Sequence, residues 1–279
     1  MTNLCTYAGI SRQGFYKFNR VRVKREINEQ MIVKLVKKIR NKHPRMGSRK
    51  LLRKLKVIFF KSGIRIGRDR FIEILRRNKL LIKRPRKWIR TTNSRHNFPV
   101  YKNIIKEMEI SHSNQVWVGD ITYIKTFEGN LYLSLIMDAF SRKIVGYKVN
   151  DTLEAEGCLE SLEMAFKQLP SGISPIHHSD RGIQYCCKDY IAMLKSRNCL
   201  ISMTEENHCY ENSKAERVNG ILKGEYFLGQ KFLNKSIAKV SVKQAIWLYN
   251  NDRPHLSLEM KTPEMVHSNS KYWINKECN

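Results

Sequence analysis

Residues 115–126 read QVWVGDITYIKT. Alternation with period two sets Val116, Val118, Asp120 and Thr122 on one face and Trp117, Ile121 and Tyr123 on the other, which predicts a β-strand with a carboxylate in its middle. The turn residues Glu128-Gly129-Asn130 lead into LYLSLIMDAFSR (131–142), and SRKIVGYKV (141–149) supplies a third apolar strand, so the three form an antiparallel meander. A helix is predicted over Leu153 to Leu169, closed by Pro170, Gly172 and Pro175. The run SPIHHSD (174–180) then brings a fourth strand to Asp180, and Asp189 to Arg197 reads as another helix.

Meander, helix, strand, helix is the order of the ribonuclease-H-like α/β fold, a five-stranded mixed sheet flanked by helices. In that fold the first and fourth strands pair, so Asp120 and Asp180 become neighbours. Glu216 lies 36 positions after Asp180, in NSKAERVNGILKGEYF (212–227), a helix on which positions 216, 220 and 223 share a face. Gathering carboxylates from separate elements has a chemical reason. Phosphodiester transfer uses two divalent cations about 3.5 to 4 Å apart, one activating the attacking oxygen and one stabilising the leaving oxygen. Hard Mg²⁺ or Mn²⁺ takes oxygen ligands, so neither His nor Cys is required. Each carboxylate also has a structural explanation. Asp180 in SDRG can shape a turn, Asp120 can be an edge-strand charge, and Ser213-Lys214-Ala215-Glu216 fits a capping box.

Charge divides the chain in two. Residues 1–100 carry 30 basic and 4 acidic side chains, a net of +26, whereas residues 101–279 carry 22 and 21, a net of +1. Such a half reads as a polyanion binder, because Lys and Arg release counterions when they neutralise phosphates. Its basic residues are interleaved with apolar ones at helical spacing, unlike a disordered tail. Ile27–Arg40 places Met31, Ile32, Leu35, Val36 and Ile39 on one face. After His43-Pro44, Ser48 is the expected cap of a helix with Leu51, Leu52, Leu55 and Ile58 inward and Arg49, Lys50, Arg53 and Lys54 outward. After Ser62-Gly63, Gly67–Leu80 reads as a third helix, with Phe71, Ile72, Ile74 and Leu75 inward and Arg68, Arg70, Arg76 and Arg77 outward. Helix, short turn and basic helix repeat as in helix-turn-helix domains, with the third helix directed to the major groove. A further helix is expected at YAGISRQGFYKF (7–18), capped by Ser11. The expected division is a basic helical region over 1–82, a basic linker over 83–109, a catalytic core over 110–266 and a tail over 267–279.

Seven cysteines, odd in number and without CxxC spacing, suit neither a disulfide framework nor a zinc knuckle and read as reduced thiols. No apolar run of membrane length and no secretory pattern occurs, so a cytoplasmic, nucleoid-associated protein with no membrane partner is expected.

The strings WVGDITYI (117–124), YLSLIMDAFSRKIVGYKV (132–149), HHSDRGIQY (177–185), KAERVNGILKGEY (214–226) and WLYNNDRPHLSLEMKTPEMV (247–266), in that order, resemble the integrase-type core of insertion-sequence transposases of the OrfB type. The 35 residues between Asp180 and Glu216 match their D,D(35)E signature, related to that of retroviral integrases. RMGSRKLLRKLK (45–56) and GRDRFIEILRRNKLLIKRPRK (67–87) are similar to the helix-turn-helix that precedes the core. The resemblance implies a metal-dependent endonuclease and polynucleotidyl transferase. Asp120, Asp180 and Glu216 would be its catalytic residues and the ligands of two Mg²⁺ or Mn²⁺ ions. It further implies action on transposon ends and target DNA as a homo-oligomer, with a first-frame transposase protein or a frameshift fusion as partner. Arg181, Gln184, Tyr185, Asn219 and Lys223 match the motif surroundings and would orient DNA or support the ligands. Asp138 matches too, in a structural place, and His177 and His178 read as packing residues. One departure stands out: TEENHCYENSKAE (204–216) has Glu205 to Cys209 in place of the usual Gly-Asn turn and Glu211 at the usual aspartate. Two other classes share these features. They are a ribonuclease-H-type nuclease that does not join ends, and a noncatalytic DNA-binding regulator that uses only the basic half.

Overall fold

The computed structural model describes Cys5 and residues 7–82, 99–205 and 213–269. The chain divides into two compact units, Met1–Arg84 and Pro85–Asn279. Most of the expected linker and nearly all of the expected tail lie outside the described residues.

The first unit is built from α1 (Arg12–Lys42), α2 (Ser48–Lys61) and α3 (Arg68–Arg77). The Ser11 hydroxyl accepts a hydrogen bond from the Gly14 N–H at 3.0 Å, which caps α1 as expected. The helix then runs 31 residues without a break and fuses the two segments that had been read separately. Between Phe18 and Ile27 there is neither Pro nor Gly to interrupt it. Its first half, through Ile27, leaves Tyr16, Phe18, Val21 and Val23 exposed. Ile32 and Val36 on its second half pack with Leu51, Leu55 and Phe59 of α2, Phe71, Ile74 and Leu75 of α3, and Met46 and Ile64 from the turns.

Three readings change here. Gly47, not Ser48, occupies the cap position of α2, and no side chain caps it. Phe59 takes the inward place given to Ile58, because 51, 55 and 59 fall on one stripe at four-residue spacing while Ile58 is exposed. Lys50, expected outward, is 8% exposed and already engaged within the protein. It adjoins Leu51 at the edge of the stripe, where a lysine's aliphatic stem can lie on apolar surface.

The second unit begins with β1 (Val116–Thr126), β2 (Gly129–Asp138) and β3 (Ile144–Asn150), followed by α4 (Glu156–Gln168) and β4 (Ile176–Ser179). After these come α5 (Ile183–Cys186), α6 (Lys188–Ser196), β5 (Leu200–Met203), α7 (Ser213–Glu225), α8 (Lys235–Asn251), a 3₁₀ turn at Leu256–Leu258 and α9 (Pro263–Asn269). The sheet order is β3-β2-β1-β4-β5, with β1 to β3 antiparallel and β4 and β5 parallel to β1. This is the ribonuclease-H-like arrangement. Strand alternation sends Val116, Val118, Ile124, Leu133 and Leu135 to the face covered by α7 and α8, and Trp117, Ile136 and Val145 to the face covered by α4 and α6. The last helix runs through position 266, where the core was expected to end. No described helix is long and apolar enough to cross a membrane.

Gly146 lets α4 approach the sheet. A Cβ built there would stand 2.0 Å from the Ser161 carbonyl oxygen, a backbone atom that cannot swing aside. Gly146→Ala is therefore expected to destabilise the fold by about 3 kcal/mol, the upper end of overpacking costs. A denaturant midpoint within error of the unsubstituted protein would show that α4 yields freely.

Candidate active site

Asp120 is the fifth residue of β1 and shares its face with the buried Val116 and Val118. The parallel register pairs Val116 with Ile176, Trp117 with His177 and Val118 with His178. Carried two residues further, the same offset sets Asp180, just past the end of β4, beside Asp120. Asp120 Oδ1 accepts the Ile121 N–H at 3.0 Å, and Oδ2 accepts the Asn219 side-chain N–H at 2.7 Å. Asp180 Oδ1 accepts the Gly182 N–H at 3.0 Å, so this aspartate does shape the turn as well as face its partner. Burial, and next the charge of Asp180, push the Asp120 carboxyl up to about 7 against the hydrogen bonds and the Lys223 charge, which pull it down.

Helix α7 supplies the other wall. Ala215, Val218 and Leu222 fasten it to the sheet, which turns Asn219 toward Asp120. Lys223, one turn on, sits half-buried with its ammonium 4.9 Å from the centre of the Tyr123 ring. The importance of Tyr123 was missed in the sequence, where it is only one more outward residue of β1. Asn219 Oδ1 and the Tyr185 hydroxyl are buried beside this site without hydrogen-bond partners among the described residues. Glu216 is exposed in the first turn of α7, adjacent to the anchoring Ala215 but on the outer side. Among the described residues no three His, Cys, Asp or Glu side chains cluster closely enough to hold a metal ion. The structure thus brings Asp120 and Asp180 together and leaves Glu216 outside the pair.

The neighbouring residues are mostly tied down. The Arg181 Nε–H donates to the Thr204 carbonyl at 2.7 Å, so this arginine braces the end of β5. Gln184 donates to the Leu153 carbonyl at 2.8 Å. His177 is hydrogen-bonded to Tyr190 and His178 to Ser202, each at 2.9 Å, as packing residues would be, and burial lowers His177 to about 3. Asp138 is fully buried and accepts the N–H groups of Asn114 and Ser141 and the Ser141 hydroxyl, each at 2.6 Å, which makes it the clasp of the β2–β3 turn. In the atypical loop, Glu205 pairs with Lys106 at 3.5 Å, and residues 206–212 lie outside the described residues. Cys5, Cys158, Cys186, Cys187 and Cys199 are free thiols.

The integrase core domain family matches residues 110–209, and a second family of the same description matches residues 197–263. The uncharacterized 31 kDa protein of insertion element IS600 from Shigella sonnei is 34% identical over 93% of this chain and 96% of its own length. Transposase InsF for insertion sequence IS3A from Escherichia coli (strain K12) is 30% identical over 90% of this chain and 88% of its own. The chain belongs to the insertion-sequence transposases. Among solved structures, the HTLV-2 integrase catalytic core in complex with magnesium has a TM-score of 0.44 at 21% identity, covering 55% of this chain and 96% of that one.

In the first unit of this transposase, Arg49, Arg53 and Arg76 are exposed. Arg68 pairs with Asp69, Arg70 with Glu73, and Arg77 with Glu29 at 3.1 Å and Glu73 at 3.7 Å. Exposed pairs of this kind are screened by water and restrain these arginines only loosely.

Proposed function

We propose that this transposase cuts DNA at the ends of its insertion sequence and joins each freed 3′ hydroxyl to a new phosphodiester, using Asp120, Asp180 and Glu216. The observation that carries this is the pairing of Asp120 with Asp180 through the β1–β4 register, with α7 laid alongside. The donor set fits a hard divalent cation, because two neighbouring carboxylates that repel each other are relieved by a positive charge between them. Asp120 and Asp180 would hold Mg²⁺ or Mn²⁺, and Glu216 would complete the ligands for two ions. When bound, the ions polarise the phosphoryl oxygen and lower the pKa of the attacking oxygen.

The protein's own groups then have distinct tasks. Asn219 fixes which oxygen of Asp120 points outward, by holding Oδ2. Lys223 places a positive charge next to the carboxylates, where a DNA phosphate would sit. Glu216 lies on the side of α7 that carries Asn219 and Lys223, the side that Asn219 presents to Asp120. Arg49, Arg53, Arg68, Arg70, Arg76 and Arg77 would hold duplex DNA. Assembly of several copies, or with a first-frame protein, would bring two ends together.

Full-length protein given a duplex of its own element's end, pre-cut to a 3′ hydroxyl, with Mg²⁺ or Mn²⁺, should produce joined strands. Hydrolysis without joining would instead identify a ribonuclease-H-type nuclease, and binding with neither reaction a regulator.

A further inference from the structure

Three cations converge on a part of the second unit that the reaction above does not use. The β2–β3 turn is held by Asp138 and clamped by Asn250, which accepts the Ile144 N–H and donates to the Ile144 carbonyl, each at 2.9 Å. Within that turn Arg142 adopts a left-handed φ of 65°, unusual for a residue with a side chain, so its direction is imposed by the clasp around it. Ala139 and Ile144 of this turn pack in one cluster with Ala215 and Val218 of α7 and Tyr249 of α8. Lys214 and Arg217 adjoin Ala215 and Val218 in the chain, and thus flank the same spot. On the helical wheel they fall on a different side of α7 from Glu216, Asn219 and Lys223.

None of the three side chains makes a hydrogen bond or ion pair among the described residues, although the Arg142 backbone N–H donates to the Asp138 carbonyl at 2.9 Å, and the nearby acid, the Asp138 carboxylate, already accepts three short hydrogen bonds. Burial lowers the pKa of Arg142 and of Lys214; Tyr249 and Asp138 favour the Arg142 charge and Arg217 opposes it, while Arg142 opposes the Lys214 charge and Asp138 favours it. Tyr249 is fully buried and its hydroxyl has no hydrogen-bond partner among the described residues; the charge of Arg253 acts on it most, then those of Arg142, Glu225 and Arg217. Cations and a buried hydroxyl that lack side-chain partners among the described residues are groups a phosphate oxygen can engage.

We propose that Arg142, Lys214 and Arg217, with the Tyr249 hydroxyl, bind a backbone phosphate of DNA at a second point of contact on the catalytic core. The proposal rests on the reading of this protein as one that acts on DNA. A contact there grips the duplex on the other side of α7 from Asp120, so the strand at the carboxylates is held from two directions. Phosphate contacts carry no sequence information but fix register.

The test is binding of a short fluorescent duplex to the full chain over a salt series. For Arg142→Gln/Lys214→Gln, affinity should fall about tenfold and the slope of log K against log salt should become shallower by about 1. The control Lys167→Gln/Lys195→Gln removes the same charge from α4 and α6 and should change affinity by less than about twofold. Tyr249→Phe should weaken binding about three- to fivefold without lowering the melting temperature, since its hydroxyl has no hydrogen-bond partner among the described residues. If the double variant matches the control, or if Tyr249→Phe binds as the unsubstituted protein does, the site is overturned. Should the double variant fail to fold, Tyr249→Phe alone decides. Joining of a pre-cut end by a protein whose binding ignores these changes would sink this inference and keep the proposed function; the reverse pattern would do the opposite.

Discussion

Asp120→Asn protein is expected to lose cutting and joining by a factor on the order of 10³ or more while still binding DNA. Cations at such a site supply several kcal/mol of transition-state stabilisation, and each 1.4 kcal/mol is a factor of about ten. The substitution keeps shape, removes the charge and turns one acceptor oxygen into an amide N–H, which Asn219 can meet by turning its carbonyl oxygen inward. Asn can still accept the Ile121 N–H, and the strand keeps its register with β2 and β4. Stability should hold or rise, because the buried carboxylate that it replaces is penalised by burial and by Asp180. DNA affinity should hold as well, since a negative charge is taken from the path of a phosphate. Single-turnover strand transfer read beside fluorescence anisotropy separates the two effects. Cleavage that survives within tenfold would overturn the assignment of Asp120.

The largest expected effect on stability lies away from the chemistry. Arg253, in the RPH string after α8, is 4% exposed and makes two hydrogen bonds of 2.8 Å to the two carboxylate oxygens of Glu225 at the end of α7. Its guanidinium also lies 5.8 Å from the centre of the Tyr249 ring. Glu225→Ala would leave a buried guanidinium without its counter-charge, at a cost of about 3–5 kcal/mol. Replacing both partners, Glu225→Leu with Arg253→Met, should recover most of that, because the penalty comes from the charge left behind. Urea unfolding of the full chain measures both. A loss under about 1 kcal/mol for the single change would mean that water reaches Arg253.

Much of this architecture was legible because it is written in short periods. The alternation around Asp120 predicts the strand, and the fold order predicts that β4 delivers Asp180 beside it. What escaped depends on contacts between distant segments. Lys50 has the local pattern of an outward lysine, and only the packing of the first unit buries it. Arg142 stands 72 positions before Lys214, and no periodicity links them; the turn clasped by Asp138 and Asn250 does. Glu216 was legible as a helical residue at the right spacing. Whether it joins the two aspartates was not, since that depends on how the first turn of α7 is seated.

Helix α1 has a mechanical consequence. From Arg12 to Ile27 it projects sixteen residues, about 24 Å at 1.5 Å per residue, ahead of the three-helix cluster that anchors it. Any recognition module joined ahead of Ser11 would therefore ride on a stiff strut and not on a tether. Lengthening that strut by one residue would rotate the module by about 100°, whereas a full turn of insertion would nearly restore its heading. Tolerance of insertions near Val21 should then follow the phase of the helix and not merely its length.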